Sequence, residues 1–220
     1  MAMMSQITVD FDAARWIDVP DTATDIAAEA AEAVERLFDA RGRTDRIGAE
    51  QLTRSVVEDY AYLATAPGFG YLLFCGEPAE PLEIIQLVVH PTEPERQDWL
   101  RELAGDGGTE GLLSATSHPD LGEGQRLIRI VPPADTEDSD GADSHDEVAP
   151  EAGGEWGDAQ ALVLSITYLW QTQGLDIVLS VETFDLERGF AMVTHLDELA
   201  AGIGLDGPAS PADRPMEVDR

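Results

Sequence analysis

The chain contains no lysine, a single cysteine and no long apolar run, and each absence excludes something. Its 13 basic residues are all arginines and stand against 44 acids, so the net charge is −31. A surface this negative repels nucleic acid phosphates and anionic lipids, and we expect no nucleic acid partner. With Cys75 alone, no intrachain disulfide can form. No stretch reaches the ~20 apolar residues that span a bilayer.

The N-terminal stretch also lacks the charged start and apolar core of a secretory signal. Together with the missing apolar span, this predicts a cytoplasmic protein without membrane insertion. The absence of lysine, with abundant Ala, Gly, Asp and Glu, indicates a GC-rich genome. A halophile would also favour acids, and composition leaves both explanations open.

One stretch, "RLFDARGRTDR", concentrates positive charge in Arg36, Arg41, Arg43 and Arg46. Basic side chains near the end of a helix complement the partial negative charge of its last carbonyls. We therefore interpret Arg36 and Arg41 as residues of a helix C-terminus, with neighbouring aspartates offsetting the others. The alternative, a basic face for nucleic acid, is disfavoured.

Apolar spacing predicts two helices in the first third, after a short strand or extended arm that carries Ile7, Val9 and Phe11 and ends at Pro20. The first helix begins near Asp21 or Thr22, either of which could cap it, and ends before Gly42. The second covers 49–64. Their predicted buried stripes are Ile26, Ala30, Val34, Leu37 and Phe38, and then Leu52, Val56, Tyr60 and Leu63.

The remainder reads mainly as strands in adjacent pairs. "FGYLLFC" and "PLEIIQLVVH" form one predicted hairpin, and "ALVLSITYLWQTQ" and "LDIVLSVETF" form another around Gly174. "LLSATSHP" and "GQRLIRIVPP" are further strands. A short helix over 93–105 turns Trp99, Leu100 and Leu103 inward. The last helix, "RGFAMVTHLDELAAGIG", places Phe190, Val193, Leu196, Leu199 and Ile203 on its apolar side.

This order predicts an α+β fold, a mostly antiparallel sheet with helices packed against it. We expect one domain over 1–206, with an acidic flexible insertion at 132–157 and a disordered tail at 207–220, since neither segment has enough apolar residues to offset the entropy of ordering. Trp156, at the edge of the insertion, either anchors it to the domain or faces a partner.

Inside the insertion, "TEDSDGADSHDE" resembles a calcium loop, with Asp138, Asp140, Gly141 and Glu147 at ligand or turn positions. The first ligand position holds Thr136, and a strand ending in two prolines precedes it where a calcium loop needs a helix. We therefore interpret it as a flexible acidic loop, and no metal site is predicted.

Candidate catalytic residues are few. Cys75 could act as a nucleophile with His90 as its base, but a lone cysteine in "YLLFC" is typical of a buried strand residue. Carboxylate pairs such as Glu182 and Asp185 are too numerous to indicate acid–base chemistry. The histidines show no zinc-ligand spacing, and no phosphate- or dinucleotide-binding motif is present. We assign no catalytic, cofactor-binding or metal residue, and no cofactor.

The C-terminal segment "LSITYLWQTQGLDIVLSVETFDLERGFAMVTHLDELAAGI", with "RWIDVP" and "HPDLGEGQRLIRI", resembles a broad group of actinobacterial proteins of uncharacterised activity. In that group a strand, a turn and a second strand lead into a helix that ends the fold. Where members of that group have Ser-Thr-Pro-Asp, this chain has Glu182, Thr183, Phe184 and Asp185. The resemblance implies a Mog1/PsbP-like sandwich of sheet and helices, and several members look like accessory parts of secretion or cell-envelope systems.

These observations favour a non-catalytic binding or accessory protein with a protein partner. Two alternatives stay open. One is a hydrolase or small-ligand-binding enzyme with a pocket between sheet and helices, and the other is a structural component of a larger assembly.

Overall fold

Nine strands and three helices make up the described part of this computed structural model, which covers residues 6–20, 25–65, 70–77, 80–92, 100, 111–131 and 162–206. The strands are β1 (Gln6–Val9), β2 (Trp16–Val19), β3 (Gly70–Phe74), β4 (Glu83–Pro91), β5 (Leu112–His118), β6 (Gly122–Val131), β7 (Val163–Thr172), β8 (Leu175–Thr183) and β9 (Ile203–Asp206). The helices are α1 (Ile26–Ala40), α2 (Ala49–Leu63) and α3 (Leu186–Ala201).

Seven of the strands form one sheet in the order β2-β3-β4-β8-β7-β6-β5, and every neighbouring pair is antiparallel. This confirms the predicted α+β class and both predicted hairpins. The β7–β8 turn is tight because Gln173 and Gly174 take positive φ angles of 52° and 79°, a left-handed pair that suits a two-residue hairpin.

Helices α1 and α2 follow the predicted apolar stripes closely. All the predicted positions of α2 are buried, and in α1 only Ile26 is partly exposed. The predicted start of α1 is wrong: the helix begins at Ile26, and Asp25 caps it by accepting a hydrogen bond from the Ala28 backbone N–H at 3.1 Å. Asp21 and Thr22 lie outside the described residues.

The two faces of the sheet carry different helices. Alternating strand residues, Phe74 and Tyr168 among them, point to α3, and we call this the α3 face. Their neighbours, including Leu73 and Cys75, pack with α1 and α2 on the opposite α1/α2 face. Leu100, the one described residue of the predicted 93–105 helix, is buried in a small third cluster against Leu127, Leu169 and Val178.

The predictions for the first and last elements of the described part are wrong. What reads as one extended arm up to Pro20 is two strands in different sheets, because a turn at 13–15 separates β1 from β2. The last helix stops at Ala201, and Ile203 begins β9, which pairs with β1. Phe190 is 51% exposed, since the buried side of α3 carries Met192 instead.

The predicted insertion at 132–157 and tail at 207–220 lie outside the described residues, so their disorder and the one-domain assignment stay predictions. Among the described residues, no helix is long and apolar enough to cross a membrane.

Candidate functional site

Among the described residues, the α3 face is covered by one helix, which is narrower than the sheet, and by the β1–β9 pair, whose apolar side chains join the same cluster. Seven strands spaced about 4.8 Å apart extend over roughly 29 Å, whereas a helix with its side chains is about 10–12 Å wide. Helix α3 lies over β7 and β8 in the middle of the sheet. Concave surfaces therefore remain on both of its sides, one toward β2 and β3 and one toward β5 and β6.

The larger of these is a cleft of about 610 Å³ between the first half of α3 and the β3–β4 connection. This volume falls within the range of small-molecule and peptide side-chain sites, about 300–1,000 Å³. We call it the α3 cleft. It is lined by Arg15, Phe74, Cys75, Gly76, Glu77, Glu80, Pro81, Asp185, Glu187, Arg188, Ala191, Met192 and His195.

An arginine and a histidine meet at one end of the α3 cleft. Arg15 Nη1 donates to His195 Nδ1 at 2.9 Å and to Glu198 Oε2 at 2.9 Å. A guanidinium can only donate, so His195 Nδ1 accepts and the ring carries its proton on Nε2. His195 Nδ1 then has no proton to donate to Glu198 Oε2, which lies 3.5 Å away. The two groups are joined through Arg15, which donates to both of them.

Stacked rings fix the position of this histidine. The His195 ring stacks on Phe74 with centroids 5.3 Å apart, and Phe74 packs against the buried Trp16 at 4.9 Å. Phe74 ends β3 and Trp16 begins β2, and these two residues are paired in register. The floor of the cleft is therefore set by the sheet and does not depend on a loop.

The other end of the α3 cleft holds a largely buried arginine. Arg188 Nε lies 3.4 Å from Glu83 Oε1, and its Nη2 donates to the Pro81 carbonyl. Glu83 also accepts from the Thr183 hydroxyl at 3.1 Å. Burial raises the pKa of Glu83, and the nearby Arg188 and the Thr183 hydroxyl act in the opposite direction. Both members of this pair are thus engaged with the protein itself.

The residues that line the α3 cleft carry a net negative charge. Its two arginines already have carboxylate partners in Glu198 and Glu83. The lining holds four acids: Glu80, which lies 3.9 Å from Arg188 Nη2, Glu77, which lies 3.8 Å from Arg43 Nη1, and Asp185 and Glu187. Asp185 Oδ1 caps α3 by accepting from the Arg188 backbone N–H at 3.0 Å.

The structure separates Cys75 from His90. Cys75 follows β3 at the end where Phe74 pairs with Glu83, whereas His90 stands at the far end of β4, opposite Asp176. Eight residues of extended chain put them roughly 25 Å apart. The Cys75–His90 nucleophile hypothesis is therefore wrong.

Cys75 itself is 1% exposed and packs on the α1/α2 face. Burial raises the pKa of its thiol, and Arg41 only partly opposes this effect. The imidazole of the α3 cleft, His195, stacks on Phe74 on the other face. Cys75 is thus a buried, protonated thiol, which is typical of a structural cysteine and not of a nucleophile.

His90 belongs to a different polar cluster. Its Nδ1 lies 3.9 Å from Oδ2 of Asp176, which is fully buried. Asp176 Oδ1 accepts from the Thr92 hydroxyl at 2.7 Å and from the Gln171 amide at 3.1 Å. These bonds tie the end of β4 to the β7–β8 hairpin, which is a structural role.

The four arginines of "RLFDARGRTDR" are all engaged with the protein. Arg36, Arg43 and Arg46 each lie within 4 Å of at least one carboxylate. Arg41 donates to the carbonyls of Ala14, Cys75 and Gly76 at 2.6–2.9 Å. The expectation that Arg41 serves the end of its own helix is thus corrected: it joins that helix to the β2 and β3 ends.

Two predicted features cannot be placed. The calcium-like loop, with Asp138, Asp140, Gly141 and Glu147, lies outside the described residues, as does Trp156. Within the described ranges, no group of three or more His, Cys, Asp or Glu side chains is placed to hold a metal ion.

Sequence reasoning did not find the α3 cleft, although a signal was present. Arg188, Ala191, Met192 and His195 recur at i, i+3, i+4 and i+7 and therefore share one side of a helix. Arg15, contributed from 180 residues earlier in the chain, has no such signal.

Comparison with known proteins identifies no relative. No protein-family model matches the chain, and no curated protein or solved structure matches it either.

Proposed function

We propose that this protein is a non-catalytic binding protein whose α3 cleft takes a basic segment of a protein partner. The observation that carries this proposal is the charge balance of the cleft: its lining holds four acids, Glu77, Glu80, Asp185 and Glu187, against two arginines, and each arginine also pairs with an acid outside the lining. The chemistry of these groups selects a cationic ligand.

The chemistry of the lining supports binding over catalysis. Among the described residues that line the α3 cleft, no side chain carries a hydroxyl, and the thiol of Cys75 is buried and protonated. The lone pair of His195 Nδ1 is occupied by Arg15, which leaves an N–H donor on Nε2. A general base needs a free lone pair within reach of a nucleophile, so His195 does not fill that role in this arrangement.

The remaining lining suits the stem of a long basic side chain. Phe74, Pro81, Ala191 and Met192 provide apolar surface below the carboxylates. Arginine and lysine place methylene groups on such surface and keep their charge at its edge. The net charge of −31 would also accelerate the encounter with a basic partner.

A direct test measures fluorescence anisotropy of the labelled peptide fluorescein-Gly-Arg-Leu-Arg-Phe-Arg-amide. The double variant Glu80→Gln/Glu187→Gln removes two cleft carboxylates with little change of shape. The control Glu32→Gln/Glu50→Gln removes two exposed acids from α1 and α2. We expect the cleft variant to weaken binding at least about tenfold, and the control less than about twofold, because Glu32 and Glu50 lie outside the cleft and attract the peptide only through screened long-range charge.

Equal losses in the two double variants would contradict the proposal, since they would show only general attraction to an acidic surface. A peptide with glutamate replacing each arginine should not bind. Binding should also weaken as salt increases from 50 to 500 mM, because the attraction is between partly exposed charges.

Small-ligand binding is the second candidate, and the position of the cavity favours it. The α3 cleft lies between sheet and helix, where that hypothesis requires a pocket. Phenethylamine combines an ammonium group with an apolar ring and serves as a probe. Saturable binding by calorimetry, lost in Glu80→Gln/Glu187→Gln, would support it, and no heat at millimolar phenethylamine would remove it.

The resemblance to actinobacterial accessory proteins extends the proposal. On that basis the partner belongs to a secretion or cell-envelope system, the fold is of the Mog1/PsbP-like kind, and the protein acts at the cytoplasmic side. Affinity capture from the source organism at low salt, repeated with the cleft variant, tests the partner. Recovery of the same proteins by both forms would contradict a role for the α3 cleft.

A further inference from the structure

The concave surface on the β5 side of α3 contains a second pocket, with a volume of about 290 Å³. It is lined by residues of β5, β6, β7 and the end of α3, and we call it the β5 pocket. Small-molecule sites begin at about 300 Å³, so the β5 pocket suits one side chain or one small molecule.

Trp170 presents a buried hydrogen-bond donor to the β5 pocket. The side chain is 1% exposed, and its Nε1–H has no acceptor in the described part of the chain. A Cβ on Gly124 would lie 2.4 Å from Trp170 Cδ1 and 2.6 Å from Nε1, so this edge of the indole lies against Gly124. Gly124 pairs with Thr116 of β5, which lines the pocket. The donor is therefore on the side of the indole that faces β5 and the pocket.

Arg126 supplies a second donor of the same kind. Its Nε is buried and has no acceptor among the described residues, although 24% of the side chain is exposed. The side chain lines the pocket on the same face as Gly124, roughly 7 Å further along β6. Buried N–H groups are almost always hydrogen-bonded in proteins, because an unpaired one loses its bonds to water without replacement. Two such donors at one pocket indicate a ligand that accepts hydrogen bonds.

His118 forms one wall of the β5 pocket and carries no charge. It is 4% exposed, and its Nδ1 accepts from the backbone N–H groups of Asp120 and Leu121 at 3.0 Å. A ring nitrogen that accepts carries no proton, so the imidazole is neutral and its Nε2 donates to the Ala201 carbonyl at 3.2 Å. This bond joins β5 to the end of α3 and holds the two walls together.

The charges around the β5 pocket favour a neutral occupant. Arg126 Nη1 donates to both oxygens of Asp197 at 2.9 Å, so these two charges offset each other. The last turn of α3 carries the partial negative charge of a helix C-terminus with no basic residue to offset it, and the net charge of the chain is −31. Both features disfavour an anion. An ammonium or guanidinium group is disfavoured too, because it cannot accept from the two N–H donors.

A carboxamide matches these groups, since it combines a neutral acceptor with a donor. Its carbonyl oxygen has two lone pairs, one for each N–H. Its NH₂ group can donate to the Thr116 hydroxyl or to Asp197 Oδ2, both on the pocket wall. Within the described residues, that oxygen accepts from Arg126 alone. We propose that the β5 pocket is a binding site for a neutral carboxamide, distinct from the α3 cleft, and that the group belongs to a small molecule or to a glutamine or asparagine side chain.

The test compares propionamide, propionate and propylammonium, which have nearly the same shape and differ in charge. Each is added at neutral pH to the isotope-labelled full chain, and the Trp170 Nε1–H and Arg126 Nε–H signals are followed by heteronuclear NMR. We expect both signals to shift saturably with propionamide and with neither ion. The indole signal of Trp16, which is buried elsewhere in the same cluster, should not move.

Two results would overturn the proposal. No shift of either signal at hundred-millimolar propionamide would show that the β5 pocket holds only water. A response to propionate or propylammonium at lower concentration than to propionamide would show that the occupant is charged.

Conservative variants separate recognition from packing. Arg126→Lys keeps a positive charge beside Asp197 and removes the Nε donor, and Trp170→Phe keeps an aromatic ring and removes the indole N–H. We expect each to weaken propionamide binding at least about threefold, as the loss of one neutral hydrogen bond predicts. Arg129→Lys is the matched control and should bind normally, because its side chain lies on the opposite face of β6.

Binding in each variant is measured on the signal of the donor that remains. If Trp170→Phe does not fold, Arg126→Lys decides alone, and unchanged binding there would overturn the proposed site. The Glu80→Gln/Glu187→Gln variant should bind propionamide normally, so this proposal and the α3 cleft proposal can fail separately.

Two further probes distinguish the sources of the carboxamide. Acetyl-Gln-methylamide presents the group on a side chain, and acetyl-Leu-methylamide is its matched control. Tighter binding of the glutamine probe than of propionamide, with no binding of the leucine probe, would assign the β5 pocket to a side chain of a partner. Tighter binding of propionamide would assign it to a small molecule. Equal binding of the glutamine and leucine probes would contradict recognition of the carboxamide.

Discussion

The two faces of the seven-stranded sheet show how coverage determines where a protein can bind something else. On the α1/α2 face, two helices of 15 residues pack over β2 and β3 and bury an almost wholly apolar cluster. On the α3 face, one helix of 16 residues lies over the middle of the sheet and the β1–β9 pair joins its apolar cluster, and the described residues line a concave surface on each side of the helix.

Most of the polar groups described above lie on the α3 face, whereas the fully buried Asp176 lies on the opposite face because it alternates with Ile177 along β8. The α3 face contains the Arg15–His195–Glu198 group, the Arg188–Glu83 pair and the Arg126–Asp197–Tyr168 network. The α1/α2 cluster buries a single hydroxyl, that of Tyr60, which donates to the Asp18 carbonyl at 2.7 Å. The α3 face thus combines these polar groups with a buried apolar cluster that is larger than the α1/α2 cluster.

The largest effects should come from truncating a core leucine on either face. Leu37 in α1 and Leu196 in α3 are at most 1% exposed, and they lie on opposite sides of the sheet. Each change to alanine should lower the free energy of unfolding by about 2–5 kcal/mol. Denaturant unfolding of the two single variants and the double variant measures this.

Because the sheet separates the two sites, the losses should add to within about 0.5 kcal/mol in the double variant. A single transition would show that both faces unfold together, as one domain requires. Two separate transitions, each moved by only one of the variants, would contradict that expectation.

An intermediate effect is expected at Gly124, in β6 on the α3 face. A Cβ there would lie 2.6 Å from Trp170 Nε1 and 2.8 Å from the Leu169 carbonyl. We expect Gly124→Ala to destabilise by about 1–3 kcal/mol through overpacking. Gly70→Ala is the matched strand control, since its nearest contact would be an ordinary 3.6 Å, and it should be close to neutral in thermal unfolding.

A smaller effect, of opposite sign, should come from Asp59 on α2. Burial, with a lesser contribution from Glu58, raises the pKa of this carboxyl to about 6. An acid whose pKa is higher in the folded state binds more protons when folded, so its contribution to stability grows as pH falls from 7 toward 4. Asp59→Asn should therefore stabilise the fold at pH 7, by about 1–2 kcal/mol.

The gain from Asp59→Asn should shrink as pH falls below about 6 and disappear only below the ordinary pKa of 3.8, where the wild-type carboxyl is protonated in both states. Unfolding curves from about pH 3 to 8 measure it, with Glu32→Gln as an exposed control. A gain that stays constant with pH would show that protonation of Asp59 is not its cause.

The smallest change concerns reactivity. Cys75 should react with a thiol reagent at least about 100-fold more slowly in the folded than in the unfolded chain, because it is buried and its pKa is raised. Rapid labelling of the native protein would show that the packing of α1 and α2 over this sulfur opens readily. It would also return Cys75 to the candidate nucleophiles.

Local patterns predicted most of the fold. Apolar spacing located α1 and α2, and paired apolar runs located β3, β4, β7 and β8, because these elements are determined by neighbouring residues. The four-residue strand β9 and its pairing with β1 escaped prediction, and β1 was predicted only as part of a longer arm, since strands this short carry little pattern and pair across the whole chain.

The candidate site was less predictable for the same reason. Its charge balance depends on which acid meets which arginine, and Arg15 with Glu198, or Arg188 with Glu83, are distant in sequence. Phe190 shows how far periodicity can predict burial within one helix. Periodicity indicates which residues share a side, but the sheet decides which side is buried, and here it is the one that carries Met192.

The pairing of β1 with β9 has a consequence for folding during synthesis. Ile7 and Leu205 are partners, so the first described strand has to wait for the last to leave the ribosome. At about 5–20 residues per second, that interval is roughly 10–40 s. The apolar side of β1, with Ile7 and Val9, stays without its strand partner during this time. A nascent chain of this protein therefore has an aggregation-prone interval, which the strongly acidic composition helps it to survive in solution.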